Sequence, residues 1–343
     1  MKIIDLRSDT VTYPTPAMRE VMYRAEVGDD VFGEDPTINR LERMAAEWMG
    51  KEAGLFVVSG TMGNLVALLT HCGRGDEVIL GNRSHTFLFE QGGMAALGGI
   101  TPRTIHNQPD GTLWLGDIEG AIREDNAHFP RTRLVCLENT HNMCSGTPLT
   151  AEYTAQVARL AHARGLRVHL DGARIFNAAA ALGVDVRELV REVDSVMFCL
   201  SKGLCAPVGS LLCGSAEFIA EARRARKVVG GGMRQAGVLA AAGIVALEQM
   251  VGRLAEDHAR AKRLAEGLEG IAGVEVAPVT TNILYFWLTD EVSKTPEEVV
   301  DGLAERGVLL LGRELGRFRA VTHYWISDED IEATIAALRA TLA

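Results

Sequence analysis

Residues 168–202 constrain this chain more than any other stretch. They open with an apolar run, Val168-His169-Leu170, that ends in Asp171-Gly172-Ala173-Arg174. They close with a second, Val196-Met197-Phe198-Cys199-Leu200, that ends in Ser201-Lys202. Both runs have the length and the β-branched or aromatic content of buried strands. Between them, apolar residues at 184, 186, 189, 190 and 193 predict a helix over 184–193. This is a βαβ unit, and a right-handed crossover makes its two strands parallel. Asp171 and Lys202 then finish at one carboxyl edge, where open α/β sheets bind ligands. A buried Asp and a Lys there suit a cofactor that needs a Schiff-base lysine and an anion beside a pyridinium nitrogen, pyridoxal phosphate. Taken alone, the two residues fit a structural ion pair equally well.

At 343 residues the chain can hold two domains, or one large domain with a satellite. Its net charge of −10 argues against a nucleic-acid or anionic-membrane surface and favours a cytoplasmic protein with a small-molecule substrate. Charges interrupt the opening MKIIDLR, so it has no signal-peptide core. The apolar stretch 236–247 is short for a membrane span. The six cysteines, Cys72, Cys136, Cys144, Cys199, Cys205 and Cys213, form no C-x-x-C pair and no zinc spacing. They read as reduced thiols, and no metal site is visible.

Residues 1–13 form a polar arm, and Pro16 begins a helix that Thr15 caps. A loop over 27–35 leads to a helix over 36–49. An apolar strand over 54–58 then runs into Ser59-Gly60-Thr61-Met62-Gly63-Asn64 and a helix over 65–71. Free N–H groups at such a junction favour a phosphate, with Gly60 allowing close backbone approach. A plain βα turn with a Thr cap is the competing reading. Strands over 77–80 and 134–137 would deliver His85 and Glu138 to the same edge. Beyond Lys202, a strand over 210–213 precedes a basic helix over 221–227, whose Arg223, Arg224, Arg226 and Lys227 read as a solvated face. Three glycines, 230–232, precede Arg234, and a helix rich in small residues leaves the first domain. Short strands over 274–276, 282–288, 308–311 and 318–323 then alternate with helices starting at Thr295 and Ser327. The chain divides into an arm (1–13), a large domain (14–250) and a small α+β domain (251–343). Arg319, in the last, reads as a surface ion-pair residue or as an arm to a substrate carboxylate.

Five features converge on the carboxyl edge: Gly60-Thr61, His85, Glu138, Asp171 and Lys202. With the motifs LRSDTVT (6–12), GDDVFGEDPT (28–37), SGTMGN (59–64), LENTHN (137–142), HLDGARIFNAA (169–179), SKGLCAPVGS (201–210), GGGMRQAG (230–237) and VTH (321–323), the chain resembles the low-specificity L-threonine aldolases. These are pyridoxal-phosphate enzymes of the aspartate-aminotransferase fold, fold type I. The resemblance implies an α/β large domain with a mainly parallel, doubly wound sheet and a small C-terminal α+β domain. It also implies retro-aldol cleavage of L-threonine, L-allo-threonine and related β-hydroxy-α-amino acids to glycine and an aldehyde.

Residue by residue, the resemblance makes Lys202 the Schiff-base lysine and Asp171 the partner of the ring nitrogen. Arg174 would lie beside the pyridine hydroxyl or the substrate carboxylate, Gly60 and Thr61 would hold the phosphate, and His85 would stack on the ring as the leading base. Ser8 and Arg319 would clamp the substrate carboxylate. His128 is a second base, although the topology puts it at the opposite edge unless a loop or neighbouring subunit brings it in. Arg234 and Lys227 would reach the phosphate of a neighbouring subunit in a homodimer or homotetramer. One departure stands in LENTHNMCSGTPL, where Met143 and Cys144 occupy positions at which the family often has Gly. β-Elimination, racemisation or transamination would use the same Lys202 and Asp171. A nucleotide-dependent oxidoreductase built on SGTMGN lacks its third glycine.

Overall fold

The computed structural model describes residues 2–313 and 316–343. In chain order its first strands are β1 (Ile4–Asp5), β2 (Ala53–Val57), β3 (Glu77–Gly81), β4 (Thr101–Ile105), β5 (Thr132–Glu138), β6 (Arg167–Asp171), β7 (Ser195–Cys199) and β8 (Ser210–Gly214). Seven of these form the main sheet, in the order β2-β8-β7-β6-β5-β3-β4. Strands β3 to β7 are mutually parallel. β8 runs antiparallel between β7 and β2, so β2 points the same way as the parallel set. The carboxyl ends of β2, β3, β5, β6 and β7 therefore share one edge.

The predicted βαβ unit is present, with Asp171 opposite Met197 across β6 and β7. Its crossover differs from expectation and holds two helices, Ile175–Leu182 and Val186–Val190. The first is carried by an alanine run that has high helix propensity but little apolar contrast, so no periodicity advertises it. β4 also escaped the sequence reading. It is an edge strand, half exposed, and an edge tolerates Pro102. A further correction concerns the basic helix, which spans Ala216–Val228. Arg226 is fully buried, donating to Asp30 and to the Phe56 carbonyl at 2.7 Å each, and Arg223 pairs with Glu42 at 2.6 Å. Only part of that charge cluster is a solvated face. The apolar helix Gly237–Val245 continues through a π turn and a 3-10 turn into Leu254–Glu269. This run of 33 residues is long and apolar enough to cross a membrane by length and composition, and its apolar first part is packed inside the large domain.

The small domain carries an antiparallel sheet, in the order β12-β13-β10-β9, of β9 (Val274–Val276), β10 (Ile283–Leu288), β12 (Leu311–Arg313) and β13 (Arg317–Val321). β11 (Val308–Leu309) pairs instead with β1, in parallel, so the single strand expected over 308–311 is two. Capping boxes at Thr295 and Ser327 start helices Pro296–Glu305 and Asp328–Leu342. Ile4 and Leu6 are buried in this domain's core. The arm is thus a strap between the domains. Val321 N–H donates to the Leu6 carbonyl at 2.8 Å on one side. On the other, Arg174 grips Asp9 through Nε and Nη2 at 2.7 and 2.6 Å, and the Thr12 hydroxyl donates to the Lys202 carbonyl at 2.9 Å.

Asp9 and Arg174 are both buried. Burial alone would raise the Asp9 pKa; the Arg174 charge and hydrogen bonds outweigh it and hold the carboxyl well below its usual range. Removing one member strands the other charge. Asp9→Ala is expected to cost about 3–5 kcal/mol, read as a lower urea midpoint at unchanged slope.

Candidate active site

β6 delivers Asp171 to the carboxyl edge, where it is buried and its two oxygens have separate partners. Oδ1 accepts from Ala173 N–H at 3.0 Å and Oδ2 from the Asn64 amide at 2.8 Å. Asn64 belongs to helix Gly60–His71, which starts earlier than expected, with Ser59 rather than Thr61 as its cap. Asn64 also donates to Glu90 at 2.9 Å, and Glu90 lies 2.9 Å from His85 Nδ1. β3 leads to His85, whose N–H donates to Glu138 at 2.6 Å. The second oxygen of Glu138 accepts from Asn142 N–H at 2.8 Å, so this carboxylate ties the loops after β3 and β5 together.

His85, Glu90 and Asp171 each bring one ligand atom to within 4.8 Å of the others, a spacing a metal could use. Both carboxylates there accept from Asn64, which makes the cluster a hydrogen-bond network. Burial alone would lower the His85 pKa, but the Glu90 hydrogen bond and the charges of Asp171 and Glu90 outweigh it and raise it. Glu90 is itself raised by burial.

Lys202 follows β7 in a half-buried turn, and its Nζ donates no hydrogen bond to any described residue. Its charge lowers the Asp9 pKa, after the larger effect of Arg174. Arg319, expected at the surface or as a substrate arm, is buried on β13 with Nη2 3.4 Å from the Ser8 hydroxyl. Ser8, Asp9, Arg174 and Arg319 thus meet where both domains face the arm. Gly60 has a packing role at the start of this helix. A Cβ there would lie 2.9 Å from Cys199 Sγ, and one on Gly63 2.5 Å from Met197 Cγ, so both glycines let the helix settle onto β7. Thr61 is exposed at the mouth of this helix.

Three sequence candidates stand apart. His128 is exposed in the loop preceding β5, on the opposite edge, and its N–H is held by Asn126 at 3.0 Å. Arg234 is exposed and pairs with Asp29 at 3.1 Å; Lys227 is exposed near the end of its helix. Cys144 is buried, with Sγ 3.6 Å from the Gln108 carbonyl. The sequence reading missed Asn64 and Glu90 in the Asp171–His85 network, and Asp9 as the partner of Arg174. Asp9 and Asn64 lie inside the motifs LRSDTVT and SGTMGN, which was the available signal. Glu90 had none.

The beta-eliminating lyase family profile matches residues 5–291. Low-specificity L-threonine aldolase 1 of Arabidopsis thaliana is 50% identical, over 99% of this chain and 96% of that one. The low specificity L-threonine aldolase of Escherichia coli is 48% identical, over 99% and 100%. The chain belongs to the low-specificity L-threonine aldolases. Among solved structures, a threonine aldolase of Leishmania major superposes with a TM-score of 0.84 at 21% identity, covering 99% of this chain and 100% of that one. The fold is therefore fold type I, as expected, and the family's cofactor is pyridoxal phosphate. The residues present fit it: a buried carboxylate, an unengaged lysine amine, a half-exposed imidazole and a helix N-terminus share one edge.

In an aldolase of this family, the His85–Glu90 contact has a measurable consequence. NMR titration should place His85 above the ordinary histidine value of about 6.5. In Glu90→Gln only burial and weaker charges remain, and the titration should move to lower pH.

Proposed function

We propose that this chain is an aldehyde-lyase that cleaves L-threonine, L-allo-threonine and related β-hydroxy-α-amino acids to glycine and an aldehyde. The carrying observation is the meeting of Asp171, His85 and Lys202 at one sheet edge, in a chain that matches these aldolases over 99% of its length. When bound, pyridoxal phosphate supplies a sink for the electron pair released as Cα–Cβ breaks. Lys202 Nζ would hold the cofactor covalently, Asp171 would partner its ring nitrogen, and the N–H groups of Gly60 and Thr61 would take its phosphate. Ser8 and Arg319 bind the amino acid's carboxylate. Asp9 takes the Nε–H and one Nη2 N–H of Arg174, so the two Nη1 N–H groups and the second of Nη2 carry no hydrogen bond to a described residue. Such a clamp would fix the orientation of the amino acid's Cα–Cβ bond. His85 removes the β-hydroxyl proton as the bond breaks, and a proton returned to Cα completes glycine. His128, exposed in a loop on the far edge, could act only if that loop or a neighbouring subunit brought it in.

The enzyme is best read as a homodimer or homotetramer with shared sites, in which Arg234 and Lys227 serve the partner's phosphate. This reading is supported by an open cavity of about 440 Å3 at Lys227, lined also by Val31, Arg224 and Val228, where apolar and basic groups meet. A cytoplasmic location is supported by six buried cysteines, all free thiols.

Holoprotein supplied with L-threonine should yield glycine and acetaldehyde; 2-oxobutanoate and ammonia would mean β-elimination instead. Asp171→Asn should keep the cofactor and lose roughly a hundredfold or more in turnover, since one charged contact in a dry site is worth several kcal/mol. Mixing Lys202→Ala with Arg234→Ala under subunit exchange should raise activity above the sum of the two. No gain, with exchange confirmed by mass, would mean that Arg234 acts within its own chain or is only structural.

A further inference from the structure

Between helix Gly60–His71 and the sheet, one polar stripe crosses otherwise apolar packing. Asn64 and His71 are two turns apart on one face of the helix. His169 and Asp171 share a face of β6, and Ser195 stands opposite His169 on β7. Their side chains touch in series. His71 Nε2 lies 2.7 Å from Ser195 Oγ, Ser195 Oγ 2.8 Å from His169 Nδ1, and His169 Nε2 3.1 Å from Asn64 Oδ1. Asn64 Nδ2 then reaches Asp171 at 2.8 Å and Glu90 at 2.9 Å.

Chemistry fixes the direction of every bond. Carboxylates accept, so Asn64 turns its nitrogen to Asp171 and Glu90 and its oxygen to His169. His169 must therefore carry its proton on Nε2. Burial pushes its pKa down to about 4, so the ring is neutral, Nδ1 is bare, and the Ser195 hydroxyl donates to it. Ser195 then accepts from Nε2–H of His71, which burial likewise pushes down to about 3. All the donors point toward Asp171. The Asn64 amide does not readily pass a proton on, so the chain orients and polarises rather than conducts. Its far end, His71, stacks on Phe218 with ring centroids 4.5 Å apart. It lines an open cavity of about 520 Å3 on the opposite edge of the sheet, together with Lys51, Arg167 and Asp194.

We propose that His71, Ser195 and His169 are positioning residues that act through Asn64 to set how Asp171 is aimed and how strongly it holds the cofactor's ring nitrogen, so that the reaction is tuned from the amino edge of the sheet. This rests on Asp171 being the ring-nitrogen partner. Holoprotein labelled with 15N in histidine and carrying ring-15N pyridoxal phosphate gives two separate readouts. The histidine spectra should show His71 and His169 as Nε2–H tautomers. His71→Phe keeps an aromatic ring beside Phe218 and removes the donor; the His169 Nδ1 and ring-nitrogen signals should both move, and kcat should fall about three- to tenfold at unchanged KM. His71→Gln, whose amide N–H can stand in for Nε2–H, should restore both signals and the rate. An Nδ1–H tautomer at His169 would overturn the relay. So would a His71→Phe holoprotein with wild-type signals and kcat. Asp171→Asn separates the two ideas. If it leaves the ring-nitrogen signal unchanged, the placement of Asp171 fails and the relay with it; if it shifts that signal while His71→Phe does not, the relay alone fails.

Discussion

Everything at the site depends on β6 and β7 lying side by side and pointing the same way. The ladder continues past Asp171, where Gly172 N–H donates to the Met197 carbonyl at 2.7 Å. A Cβ on Gly172 would stand 2.8 Å from that same carbonyl, so only glycine lets the chain turn there without leaving β7. The backbone thereby fixes where Asp171 ends, and two residues after Leu200 it fixes where Lys202 begins its reach. β5 adds Glu138 on the other side, opposite Asp171 in the register. The chemistry is assembled by strand ends, and the side-chain network only refines it.

The second constraint is charge buried between domains. A buried ion pair contributes little net stability, because desolvation offsets much of the attraction. What Asp9 and Arg174 provide is geometry. The arm joins the small domain through β1 and Leu6, and it joins the large domain through this pair and through Thr12 on the Lys202 carbonyl. Ser8 and Arg319 are brought beside Arg174 by the same strap. Movement of the small domain would therefore be felt at Arg174 and at the backbone of Lys202, which gives closure over a substrate a physical route to the reacting groups.

The carboxyl-edge residues were legible in the sequence because each terminates a short apolar run: His85 and Glu138 follow strands, as do Asp171 and Lys202. The motifs then supplied the family and, with it, the fold. What stayed hidden was set by tertiary contact. Glu90 lies in a short irregular segment, and nothing in Thr86-Phe87-Leu88-Phe89-Glu90 announces that it will meet His85 and Asn64. Arg226 sits in a run of arginines that looks solvated, and only the fold shows it facing Asp30 and the end of β2. The spacing of Asn64 and His71 was visible, but a seven-residue interval carries meaning only once His169 and Ser195 are known to lie beneath it. Sequence reading located the strand ends and missed the layer behind them.

The claim on which the rest stands is that the cofactor is held at the end of β7. The chain has six lysines, Lys2, Lys51, Lys202, Lys227, Lys262 and Lys294, and Lys202 is the one that follows a strand into the carboxyl edge. Borohydride reduction of the purified holoprotein, followed by digestion and peptide mass mapping, reads the attachment point directly. The reduced cofactor is expected on the peptide containing Lys202. Its recovery on Lys227, or on any other lysine, would contradict the placement of the site.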